Sequence, residues 1–150
     1  MSICSKRTVG NSEVLMEFIE WGDHLSVGVK VFDDEHKQLV ALVNKLNQAL
    51  LAGSAKKTMG EILQNLVNYT KIHFKHEEDY MVLYDYSEYE KHKKEHEALT
   101  NQVSDFYTRY QEGKAAFSLE LMNFLKDWLI NHILGSDMKY KKFFLSKNVQ

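Results

Sequence analysis

Not one proline interrupts this sequence of 150 residues, only seven glycines occur in it, and its apolar side chains recur every three or four positions over long stretches. Proline withdraws a backbone donor and collides with the preceding turn, so its absence leaves long helices free to form. A strand would instead need apolar residues at every second position. The expectation is an all-α chain.

The glycines and helix-start signals divide it. Residues 16–32 alternate aromatic, polar and glycine positions (Phe18, Trp21, Gly22, Gly28, Phe32) without helical period, and are expected to form an extended arm over the core. A first helix should run from Asp33 as N-cap to about Ala52 and stop at Gly53, burying Leu39, Val43, Leu46 and Leu50. A second should open on the Thr58–Glu61 capping box and bury Ile62, Leu66, Tyr69, His73 and Glu77. A third, opening on Ser87 and Glu90, should bury His92, His96, Leu99, Val103, Phe106 and Tyr110 and close before Gly113. A fourth should start at Ser118, bury Leu121, Leu125, Trp128 and His132, and stop near Gly135. A short last helix should follow, from Ser136 or Asp137 to about Ser146. Four such helices joined by short loops make an antiparallel up-down-up-down four-helix bundle, assigned to residues 16–150. The polar residues 1–15 are expected to be a flexible N-terminal segment.

Composition narrows the function classes. With 44% hydrophobic and 27% charged residues the chain suits one globular domain. A net charge of −2 gives no field to gather nucleic acid or an anionic membrane, and no apolar stretch is long enough to span a bilayer. The only cysteine, Cys4, allows neither an internal disulfide nor a thiolate cluster, which fits a reducing cytoplasm; no apolar run follows Lys6 and Arg7 as a secretion signal would require.

The histidines carry the chemistry. Five of the seven, namely His36, His73, His92, His96 and His132, continue apolar stripes, and they come from all four helices. An imidazole left unpaired among leucines costs roughly 1–3 kcal/mol. Five such losses would consume much of a typical folding free energy of about 5–15 kcal/mol. A metal is the simplest partner. Positions i and i+4 differ by only about 40° around a helix, so His73 with Glu77, and His92 with His96, each present two ligands to one space. On a continuous helix His132 and Asp137 would diverge by about 140°, and a helix end at Gly135 is expected to turn Asp137 back. Five nitrogens and two carboxylates exceed a closed zinc site and suit a dinuclear iron or manganese centre in a bundle core.

These residues resemble the hemerythrin family. The likeness is carried by Val27-Gly28-Val29, by Phe32 to Lys37, by His73-Phe74-Lys75-His76-Glu77-Glu78, by His92 and His96, and by Trp128 to His132 with Asp137. It extends from Phe18 to about Phe144. It implies two iron ions joined by an oxo or hydroxo bridge, with His36, His73, His92, His96 and His132 as nitrogen ligands and Glu77 and Asp137 each bridging both. All but one of the positions of two six-coordinate irons are then filled. The resemblance implies that molecular oxygen binds reversibly at the vacancy, in a pocket to which Phe74, Trp128, Leu129 and Ile133 correspond, with Tyr140 helping to close it.

A nitrogen-rich set without Glu-x-x-His pairs favours a carrier, storage or delivery protein over an enzyme. An oxygen-consuming acceptor protein is a natural partner for such a carrier. An oxygen or redox sensor domain and a di-iron oxidase or peroxidase are the alternatives. His24, in the polar arm, and His76, at the rim of the second helix, are taken as surface residues. In the turn between the second and third helices, family members often carry a proline where this chain has Ser87.

Overall fold

The computed structural model describes residues 6–9, 12–15 and 17–150. Most of this chain is helical: α1 (Lys30–Leu51), α2 (Lys56–Leu83), α3 (Tyr89–Gln111), α4 (Leu119–His132) and α5 (Met138–Ser146). A π-helical turn, Ile133–Asp137, connects α4 to α5 without a break. The first four helices form a four-helix bundle in which α1 packs against α2, α2 against α3, and α4 returns to α1. Their inner faces, the arm and α5 together supply one continuous apolar core, from Ile19 to Val149. Near the start of the chain a small antiparallel hairpin pairs β1 (Lys6–Val9) with β2 (Ser12–Leu15), Lys6 opposite Leu15. No helix among the described residues is long and apolar enough to cross a membrane.

The stops follow the glycines. Gly53 (φ +67) and Gly113 (φ +74) take the left-handed conformation just beyond α1 and α3, which an L-residue adopts only with strain. Gly53 N–H donates to Leu50 and Ser54 N–H to Ala49, satisfying carbonyls the helix end would leave open. At the end of α2 a residue other than glycine does the same: Asp85 (φ 56), with Tyr86 N–H returning to the Met81 carbonyl.

The starts depart from expectation at three of four helices. Only Ser118 caps as its sequence suggests, accepting from Leu121 N–H at 3.2 Å. Helix α2 begins two residues before Thr58, and α3 two residues after Ser87, both without side-chain caps. Helix α1 begins at Lys30, so Asp33 lies inside its first turn. There it accepts from the Ser26 hydroxyl (2.6 Å) and Val27 N–H (2.8 Å), and so fastens the arm. Asn44 adds a reciprocal pair with the main chain of Ile19, at 2.8 and 2.9 Å. The arm is therefore pinned at both ends, and it folds a short 3-10 turn at Asp23–Leu25 instead of running extended throughout.

Replacing Ser118 with alanine is expected to cost about 1 kcal/mol in denaturant unfolding, whereas Thr58→Ala and Ser87→Ala each stay within roughly 0.5 kcal/mol.

Candidate metal centre

The residues singled out by their stripes converge on one point in the bundle. His36 comes from α1, His73 and Glu77 from α2, His92 and His96 from α3, His132 from α4 and Asp137 from the π turn, and all seven are buried. They form two overlapping groups. In one, His36 and His73 join Glu77 and Asp137; in the other, His92, His96 and His132 join the same two carboxylates, with ligand atoms in each group within 4.8 Å of one another.

Asp137 lies between the groups, Oδ2 at 3.0 Å from His36 Nε2 and Oδ1 at 3.0 and 3.1 Å from the Nε2 atoms of His92 and His132. Glu77 does likewise, its Oε1 at 3.1 Å from His73 Nε2 and 3.3 Å from His96 Nε2. The π turn explains the approach of Asp137. Its hydrogen bonds join residues five apart, so His132 and Asp137 share a face that a regular α-helix would deny them. Gly135 does not end the helix as expected: it has no left-handed φ and sits in open space.

The unpartnered donors and acceptors of the cluster fit a pair of metal ions. Among the described residues ten buried side-chain N or O atoms lack a hydrogen-bond partner, and seven of them belong to this cluster: both ring nitrogens of His36, Nε2 of His73 and His92, Glu77 Oε1 and both oxygens of Asp137. Several lie at hydrogen-bonding distance from one another yet lack the direction of a hydrogen bond. The Nε2 atoms of His96 and His132, both lone-pair bearers in a neutral ligand set, are 3.1 Å apart. Such crowding of inward-facing donors, costly without a partner, is what two cations would relieve.

Outer contacts fix the rings. His73 Nδ1 faces Glu35 Oε1 at 3.1 Å, and His96 Nδ1 faces Glu78 Oε2 at 2.9 Å. Carboxylates only accept, so the proton stays on Nδ1 and Nε2 is presented inward. Glu35 also accepts from His76, so His76 is more than a surface residue. Burial alone would raise the Glu35 pKa, but its two histidine partners bring it below the usual carboxylate value. The Tyr140 hydroxyl donates to Glu77 Oε2, and the Ser136 hydroxyl to Glu95. Glu35, Glu78 and Glu95 lie off the predicted apolar stripes; the signal available was an acidic residue directly beside a candidate ligand, Glu35 before His36, Glu78 after Glu77 and Glu95 before His96.

An apolar cavity of about 10 Å³ adjoins the two-histidine group. His36, His73, His132 and Asp137 line it together with Leu39, Phe74, Leu99, Trp128, Leu129 and Ile133. Leu39 and Leu99 were not expected there. Tyr140 is not among the lining residues, because its hydroxyl is engaged by Glu77 and its ring packs on His92.

Without metal the cluster holds protons. Burial opposes a charged His36, yet the Asp137 and Glu77 carboxylates outweigh it and push the pKa up to about 10. Against the same opposition Glu77 and Glu78 push His96 up to about 9. Both values exceed the ordinary 6.5, so this pairing stabilises the metal-free fold fully below about pH 6.5 and is lost as pH rises through 9 and 10. A metal must displace those protons. Affinity for Zn²⁺ or Co²⁺ is therefore expected to climb steeply with pH until it approaches about 9, with two or more protons released per loaded chain at neutral pH. Competition titration in weak buffer checks this, and a flat profile would show the histidines already neutral.

Residues 27–144 match the family model described as the hemerythrin HHE cation binding domain. The chain is 36% identical over 125 residues to the bacteriohemerythrin of Pseudomonas aeruginosa, covering 83% of this chain and 80% of that protein. It is 34% identical over 108 residues to the bacteriohemerythrin of Methylococcus capsulatus, covering 72% and 82%. The crystal structure of a wild-type hemerythrin superposes with a TM-score of 0.79 at 31% identity, covering 83% of this chain and 96% of that one.

Proposed function

The chain belongs to the hemerythrin family, and on that premise we propose that it holds two iron ions with an oxo or hydroxo bridge and uses them to bind molecular oxygen reversibly. His36, His73, His92, His96 and His132 would hold the irons through Nε2, with Glu77 and Asp137 bridging. An iron pair supplies the two electrons that reversible oxygen binding requires.

One observation carries this reading: the apolar cavity lies on the side of the pair that has fewer histidines. Both His36 and His73 line it, while only His132 of the other group does. The half short of one protein ligand thus faces a small dry space suited to a diatomic molecule. Its walls contribute by excluding water, since Leu39, Leu99 and Leu129 offer no donor to a guest there. Trp128 has a donor but spends it on the Leu99 carbonyl, at 3.2 Å. Glu35 and Glu78 keep the protons of His73 and His96 on Nδ1, away from the guest. Tyr140 keeps its hydroxyl proton at Glu77. A cavity this small leaves no room for an organic substrate, which favours carriage of oxygen over oxidation of a second molecule. The recipient in this reading is an oxygen-consuming protein of the cytoplasm.

Metal analysis and one optical experiment test the proposal. The purified protein should carry two irons per chain and, after anaerobic reduction, develop a visible absorption band in air that disappears on deoxygenation. A band that never reverses, or sustained oxygen consumption with a reductant, would replace the carrier with an oxidase or peroxidase.

A further inference from the structure

We propose that His76, at the surface of α2, is a positioning residue for the candidate ligand His73, acting through Glu35, and that it secures the two-histidine half of the centre selectively. The inference rests on the paired-metal reading above.

Glu35 is buried, at 8% exposure, yet both of its oxygens are engaged by imidazoles from another helix. Oε1 lies 3.1 Å from His73 Nδ1 and Oε2 lies 2.6 Å from His76 Nδ1. His73 and His76 are three residues apart on α2 and so share a face, and the carboxylate spans them. A carboxylate gripped at one oxygen can still swing about its side-chain torsions. Gripped at both, it is fixed in plane, and the ring it holds is fixed with it. The chain His76–Glu35–His73 thus runs from solvent, where the His76 side chain is 49% exposed, to a ring nitrogen facing the cluster.

The two halves do not share this dependence. His36 has no partner for its Nδ1, so His73 is the ring of its group that is held from behind, and its hold ends at His76. In the three-histidine group His96 rests on Glu78 instead, a carboxylate reached from the same helix as Glu77 and independent of Glu35. Loosening Glu35 therefore acts on the half that already has fewer protein donors. The other half keeps its support.

The test uses the metal-loaded protein challenged with a chelator, following metal release over time in parallel with circular dichroism. The wild-type chain should release its two metals in two phases. His76→Ala should accelerate one phase by roughly 10–100-fold, the range typical of lost outer contacts to metal-bound histidines, and leave the other phase and the helical signal unchanged. His76→Gln, whose amide can still donate to Glu35, should restore most of the slow release, and Glu78→Ala should accelerate the opposite phase. Equal acceleration of both phases, unchanged release in His76→Ala, or a glutamine variant no slower than the alanine one would overturn the assignment. A wild-type protein carrying fewer than two metals would instead overturn the paired-metal reading beneath it.

Discussion

Replacement of Asp137 by alanine is expected to empty both halves of the centre, leaving less than about one-tenth of the wild-type metal, because removing a group shared by both halves weakens affinity by more than the roughly 10–100-fold typical of outer contacts. Asp137 is fully buried and stands within 3.0–3.1 Å of ligand nitrogens from both groups. No other carboxylate touches His92 or His132 so closely among the described residues. The metal-free variant should also suffer, because imidazoles that shared its charge are left without a counter-ion in a dry core. Breaking such a buried pair costs about 3–5 kcal/mol. Elemental analysis with denaturant unfolding measures both effects. His24→Ala, at an exposed position, should change neither, and a variant at 137 that still held two metals would remove Asp137 from the ligand set.

The second large effect is expected at Phe74. Its ring stacks on His96 with centroids 3.8 Å apart and planes 4° from parallel, and it meets His132 edge-on at 5.5 Å. It lines the inner cavity and also an outer groove between α2 and α3 that reaches His96 and Glu78. Phe74 is therefore the wall between this groove and the dry space, while Leu99, Trp128 and His132 wall the cavity from a second groove between α3 and α4. Phe74→Ala should destabilise the fold by about 3–5 kcal/mol. It should also let the groove and the cavity merge, with room for a water, whose share of the liquid is about 30 Å³. Under the proposed function, irreversible oxidation of the oxygen-bound protein should then speed up by at least about tenfold, equivalent to about 1.4 kcal/mol off its barrier. Phe74→Leu keeps a plug and should fall between. An alanine variant as long-lived in air as wild type would mean that water is excluded elsewhere.

The cluster of candidate ligands was legible by convergence: His92 with His96 alone could be a solvated pair among charged neighbours, but Leu99, Val103 and Phe106 continue their stripe and matching residues recur on the three other helices. The stripe of α2 was slightly misplaced. Thr70, fully buried, takes the place expected of Tyr69, since a step of four or of three residues from Leu66 is equally helical and packing chooses between them. Helix starts were less legible. Thr58 and Ser87 have the right chemistry for capping, but the chain enters α2 and α3 at residues without a side-chain cap, because docking of the helices outweighs about 1 kcal/mol of local preference. Asp33 was recognised as a residue that holds a helix start, and instead holds the arm. Glu35 and His76 went unseen because their partnership joins α1 to α2 across about forty residues, a distance at which no spacing rule operates.

The π turn between α4 and α5 has a consequence for helical phase. By winding five residues through the angle that four would occupy, it keeps Asp137, and Tyr140 one turn later, aligned with the line of His132. The segment therefore has one residue in hand. Loss of Gly135, where even an added Cβ would meet nothing within 4 Å, would let the turn relax to an ordinary α-helix with Asp137 still aimed inward. Gain of a residue at the same place would advance everything beyond it by about 100° and face the carboxylate outward. The length of this loop-free connection is thus tolerant in one direction only.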